Sequence, residues 1–165
     1  MKIRNLILVF SVFILNGMSA QESLDSLLKK YNSGKVPYTS VEQLRMDQLN
    51  DEVLILDARE PEEFKVSHIK GALEVGYSDF DIAFLNKVPK DKKIVVYCSL
   101  GIRSENIGLQ LEKAGFKKVE NLYGGIFEWK NKDYPLVDEN GNATNRVHAF
   151  SKTWSKWLKK GEKVY

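Results

Sequence analysis

The segment Ile94-Val95-Val96-Tyr97-Cys98-Ser99-Leu100-Gly101-Ile102-Arg103-Ser104 changes character partway along. Its first four residues form an unbroken apolar run, the pattern of a strand buried on both faces. From Ser104 to Ala114 the spacing is helical, with Gly115 as a stop signal. Cys98 therefore stands at the carboxyl end of a core strand, where open α/β sheets bind ligands. The short turn that follows, with Gly101 inside it, is able to aim successive backbone N–H groups at the sulfur, and the positive end of the next helix adds to that field. Arg103 contributes a permanent positive charge. Each of these favours thiolate over thiol and would make Cys98 nucleophilic near neutrality. A cysteine that merely closes a core strand is the plainer alternative. The glycine turn, the arginine and the helix start weigh against it, but they leave open which anion the turn holds.

Working outward, Val53-Leu54-Ile55-Leu56 is a second buried-strand run and Val119–Tyr123 a weaker one. Helical stretches at Pro61–Val66, about Asp79–Asn86 and Ser104–Ala114 alternate with them. That alternation predicts an α/β domain with a largely parallel sheet covered on both faces. Glu22–Tyr31 reads as a helix closed by Gly34 and Pro37, and Ser40-Val41-Glu42-Gln43 as the capping box of another. Gly124-Gly125 punctuates the chain before a short helix carrying Phe127 and Trp129, with Trp129 read as core. In the tail, Phe150, Trp154, Trp157 and Leu158 predict an aromatic amphipathic helix over 150–160, packed on the domain rather than anchored in a membrane.

A chain of 165 residues with a 43% hydrophobic fraction suits one domain with a real core. The formal charge is +3; Lys2 and Arg4 fall in the first twenty residues with no acid, so the remainder carries +3 − 2 = +1. So balanced a chain gives no electrostatic case for nucleic acid. Met1–Asn5 is basic, Leu6–Leu15 almost wholly apolar, and Asn16–Ala20 small and polar, ending Met18-Ser19-Ala20. These are the three parts of a secretory signal peptide cleaved after Ala20. They predict an exported bacterial chain, periplasmic or secreted, without a stable membrane anchor after cleavage. A single cysteine forms no internal disulfide, which leaves a buried hydrophobe, a partner for another molecule or a reactive thiol. His68 and His148, distant from each other, offer no zinc spacing with Cys98, and no metal is expected. His148 reads as a surface residue.

Cys98-Ser99-Leu100-Gly101-Ile102-Arg103-Ser104 resembles the active-site loop of single-domain rhodaneses, Cys-x-x-Gly-x-Arg-Ser. Leu56-Asp57-Ala58-Arg59, Glu63-Phe64 and His68-Ile69-Lys70-Gly71-Ala72 resemble that family's first signature, and Asn121-Leu122-Tyr123-Gly124-Gly125 with Trp129 its last. The resemblance spans about Tyr38 to Pro135. It implies a three-layer rhodanese-like domain over 38–135, after a signal peptide at 1–20 and a helical extension at 21–37, and before a C-terminal extension at 136–165. It also implies a sulfurtransferase: Cys98 takes a sulfur atom from a donor as a persulfide, Ser99 to Ser104 hold it, and a thiol or cyanide removes it, with no cofactor. The acceptor could be a protein thiol.

Asp57 and Arg59 read as a hydrogen-bonded pair at the site's rim, Glu63 as a rim residue, and His68 as structural, because persulfide transfer needs no base once the thiolate exists. Four residues separate Cys98 from Arg103, one fewer than in the related tyrosine phosphatases and arsenate reductases, which disfavours those activities. Two-domain thiosulfate enzymes of the family carry an arginine where Glu63 stands and basic residues in the loop; here thiosulfate is expected to turn over weakly, with Leu100 and Ile102 as an apolar lip. The competing classes are a rhodanese-fold binding or sensing module without turnover, and a thiol carrier acting through mixed disulfides.

Overall fold

The computed structural model describes residues 23–165. The leader expected at 1–20 lies outside the described residues. In chain order the elements are α1 (Leu24–Tyr31), β1 (Tyr38–Thr39), α2 (Val41–Leu49), β2 (Val53–Asp57), α3 (Pro61–Val66), β3 (Leu73–Glu74), a 3-10 turn (Ile82–Leu85), β4 (Lys93–Tyr97), α4 (Arg103–Lys113), β5 (Lys118–Leu122), α5 (Gly125–Asn131), β6 (Leu136–Val137), β7 (Ala143–Thr144), β8 (Arg146–His148), a second 3-10 turn (Trp154–Trp157) and β9 (Glu162–Val164). The main sheet runs β1-β5-β4-β2-β3, and every neighbouring pair is parallel.

The continuous apolar character of β4 follows from its central place. Val95 and Tyr97 enter one core with α2, α5 and the tail, while Ile94 and Val96 enter the other with α4. β2 divides likewise, Ile55 to the first core and Leu56 to the second. Both faces being covered, the strands need no polar alternation. Ser40 caps α2 by accepting from the Gln43 amide at 3.1 Å, and Trp129 is fully buried with its indole N–H donating to the Pro135 carbonyl at 3.0 Å. The helix expected over 79–86 is shorter, the four-residue 3-10 turn at Ile82–Leu85.

The aromatic helix expected over 150–160 does not form. Only Trp154–Trp157 winds, as one 3-10 turn, and beyond it the chain extends into β9, which pairs parallel with β8. The apolar spacing that suggested a helix is satisfied from extended backbone instead: Val147 and Ala149 enter the first core on one side of the turn, and Trp157 and Leu158 from its end. Phe150 stays out of the core, 48% exposed, with its backbone at φ 63. Among the described residues, no helix is long and apolar enough to cross a membrane.

Candidate active site

Cys98 follows the last residue of β4, beyond the carboxyl ends of β4 and β2. The loop from Ser99 to Ile102 curls around its sulfur: the Gly101 amide donates to Sγ at 3.1 Å, and the Ser104 hydroxyl lies 3.5 Å away. Gly101 makes the curl possible at φ 111, where a side chain would also approach the Leu122 carbonyl at 3.3 Å. Ser104 also donates to Asn121 Oδ1 at 2.7 Å, and a hydroxyl has one proton to give, so the shorter bond claims it.

Three carbonyls at the loop are bonded to groups outside it. The Ile126 amide donates to the Cys98 carbonyl at 2.9 Å and the Phe127 amide to the Ser99 carbonyl at 3.2 Å, both from the first turn of α5. Asn121 and Asn32 each donate to the Gly101 carbonyl at 2.8 Å. With its oxygens bonded outward, the loop leaves an amide for the sulfur. The close approach of α5 requires Gly125, where a Cβ would lie 2.3 Å from the Cys98 carbonyl oxygen. Gly124-Gly125 therefore does more than punctuate the chain.

Burial pushes the Cys98 thiol up, but the Arg103 charge and the backbone N–H groups of Ser104 and Gly101 outweigh it, and the net shift is downward. Arg103 itself does not point freely into the loop. It is held by Glu63 through two bonds of 2.6 and 2.8 Å, and it also donates to Ser99 Oγ at 3.0 Å. Burial raises the Glu63 carboxyl, yet the Arg103 bond and charge bring it below the usual carboxylate value.

Glu63, read from the sequence as a rim residue, is thus the direct partner of Arg103. Asp57 and Arg59 form the expected pair, fully buried, with Arg59 also bonding the Ser67 carbonyl at 2.7 Å. His68 stacks on Phe64 with ring centroids 3.8 Å apart and bonds the Phe64 carbonyl through Nδ1 at 3.1 Å, away from the sulfur. His148 is not the surface residue expected. It is half-buried, with Nδ1 4.0 Å from Glu63. The Phe150 amide also lies 3.2 Å from that nitrogen and donates to it.

A pocket of about 180 Å³ opens over Cys98. Leu100 and Ile102 line it, as the apolar lip anticipated, but two of its walls come from the tail: Phe150, whose ring covers the Arg103 guanidinium at 4.8 Å, and Trp154. Neither wall residue was legible as part of the site. A larger hollow of about 320 Å³ beside Lys159 does not include Cys98.

The rhodanese-like domain family matches residues 40–132. The chain is similar to the thiosulfate sulfurtransferase GlpE of Coxiella burnetii, 33% identical over 91 residues that cover 55% of this chain and 83% of that protein. It is also similar to a sulfurtransferase of Allochromatium vinosum, 34% identical over 91 residues covering 55% and 84%. Among solved structures, a rhodanese-related protein of Thermoplasma volcanium superposes with a TM-score of 0.56 at 26% identity, covering 62% of this chain and 99% of that one.

Proposed function

Because the chain belongs to the rhodanese-like family, we propose that it is a sulfurtransferase that carries sulfur on Cys98. The observation that carries this reading is the cupped loop: the Gly101 amide donates to Sγ while the Cys98, Ser99 and Gly101 carbonyls are bonded to groups outside the loop. In the first half-reaction the Cys98 thiolate attacks the outer sulfur of a donor, an S–S bond forms, and the leaving group departs with the electron pair of its old bond. The product, Cys98–S–S⁻, keeps one negative charge at the mouth of the loop. In the second, cyanide or a thiolate attacks that outer sulfur and Cys98 leaves as thiolate. The fixed dipoles serve both halves without rearrangement.

Thiosulfate is a poor donor in this reading. It brings two negative charges to a pocket whose arginine is already neutralised by Glu63. A monoanionic donor suits the site better. The three-part composition of the leader supports export of the mature chain, and the mass of that chain recovered from the periplasm and medium of expressing cells tests it.

The sulfur-carrier role is tested by intact mass after exposure to thiosulfate, polysulfide or an organic donor. The expected result is a gain of one sulfur atom, reversed by cyanide and absent in Cys98→Ser. A folded protein with a titratable thiol and no adduct from any donor would instead move a binding or sensing module to first place.

A further inference from the structure

We infer that the pocket over Cys98 selects sulfane donors bearing an aromatic or other apolar organic group, and that Phe150 and Trp154 of the tail make the selection. This inference rests on the sulfurtransferase reading above and names the donor class for it.

Three observations carry it. First, the walls around the sulfur are apolar: Leu100 and Ile102 from the loop, Phe150 and Trp154 from the tail, with Arg103 as the one charged side chain. The volume of about 180 Å³ suits a single ring, since an apolar cavity of about 150 Å³ accepts benzene. Second, Arg103 is doubly bonded to Glu63 and roofed by the Phe150 ring at 4.8 Å, so little positive field remains for a second negative charge on a donor. Third, Phe150 is held at φ 63, a backbone region an aromatic residue rarely adopts, while the residue stays 48% exposed and outside the core. Core packing therefore does not account for its placement. Trp154 is fixed beside it by an edge contact with Tyr31, ring centroids 6.0 Å apart.

Organic thiosulfonates, R–SO2–S⁻, are the probe class. The Cys98 thiolate, its proton already in solvent, bonds to the terminal sulfur; the S–S bond of the donor breaks, and its electron pair leaves with the sulfinate R–SO2⁻. One thiolate and one thiosulfonate thus give one persulfide anion and one sulfinate, and no outside oxidant or reductant is required.

The experiment compares benzenethiosulfonate with methanethiosulfonate, which share charge and reacting sulfur and differ in the organic group. Cyanide-dependent kcat/KM is measured for each and normalised to the uncatalysed reaction. In the wild-type protein the benzene donor is expected to exceed the methane donor by about tenfold, the discrimination that a few buried carbons give in an apolar pocket. Phe150→Asn, which keeps a residue tolerant of positive φ, and Trp154→Ala should each collapse that ratio at least about fivefold, by losing part of the same contact. Phe84→Ala, an exposed phenylalanine on the first 3-10 turn, should leave it unchanged. An equal ratio in wild type, Phe150→Asn and Trp154→Ala overturns the inference while leaving sulfur transfer standing. Failure of every donor to load Cys98 overturns the sulfurtransferase reading itself, and this inference with it.

Discussion

Two arginine–carboxylate pairs, whose acids Asp57 and Glu63 stand six residues apart, perform different tasks. Asp57–Arg59 is closed off completely, both side chains at 0% exposure, and Arg59 also bonds a backbone carbonyl. Glu63–Arg103 has equally short bonds, but Arg103 keeps 14% of its surface at the pocket over Cys98. The chemistry of the two pairs is the same, so what separates a strut from a site is which face remains open. A pair sealed in the core acts only on stability, whereas a pair at a pocket wall also sets the charge that an incoming donor meets.

That distinction is broken most severely by unpairing the sealed arginine. Asp57→Asn leaves Arg59 buried without a counter-charge and is expected to cost about 3–5 kcal/mol of stability in urea unfolding. A loss below about 1 kcal/mol, the range of exposed pairs, would show that the interior there tolerates an unpaired charge. Next in size, Arg103→Met should slow sulfur loading of Cys98 by about a hundredfold, about 2.7 kcal/mol of transition-state free energy at 1.36 kcal/mol per tenfold. The pH at which the thiol becomes reactive toward iodoacetamide should rise, because Arg103 is among the groups that hold the thiol down. An unchanged alkylation profile would place the lowered thiol on the loop amides alone.

The smallest expected effect is also the most diagnostic. Glu63→Gln releases the Arg103 charge to the pocket and should raise thiosulfate kcat/KM by about tenfold, or about 1.4 kcal/mol. The same variant should alter acid stability. The Glu63 carboxyl lies below its ordinary value when folded, so it contributes stability that is present above the unfolded value of about 4.3 and lost as pH falls through the folded one. Removing the carboxyl should flatten that acid limb of the unfolding curve. Thiosulfate turnover that stays weak in Glu63→Gln would assign donor discrimination to the pocket walls rather than to charge.

The loop at Cys98 was legible because everything that defines it is contiguous: an apolar strand, a glycine that permits the curl, an arginine and a helix start. Both sides of the sheet were legible for a similar reason, since β2 and β4 carry unbroken apolar runs and only a doubly covered sheet accepts them. The partners of that loop were not legible. Glu63 reaches Arg103 from 40 residues away, and Asn121 reaches Gly101 from 20, with no periodicity to announce either contact. Asn121 falls inside a recognisable signature, and its buried amide is what that signature supplies to the loop. The tail was misread because one apolar spacing fits two geometries. Trp154 and Trp157 are placed by a 3-10 turn, Phe150 by a left-handed backbone, and Leu158 by the extended chain that follows.

β8 and β9 fasten a ring of chain that begins after His148 and ends before Glu162, and that ring carries Phe150 and Trp154. Beside the strand pairing, the Ala149 amide bonds the Val164 carbonyl and the Glu162 amide bonds the Asn145 carbonyl, each at 2.8 Å, and Lys163 bonds the Ser155 carbonyl at 2.8 Å. The cup around Cys98 hangs from other supports, α5 and the two asparagines. Donor selection and sulfur carriage therefore meet at α5, whose Asn131 also bonds the Trp157 carbonyl at 3.0 Å and the Lys159 amide at 2.7 Å. Unbuckling the clasp near Val164 would loosen the wall at Phe150, next to β8, while Trp157 and Leu158 stay seated against α5 and the core. The result would be a carrier that still loads sulfur and has lost its taste for one donor over another.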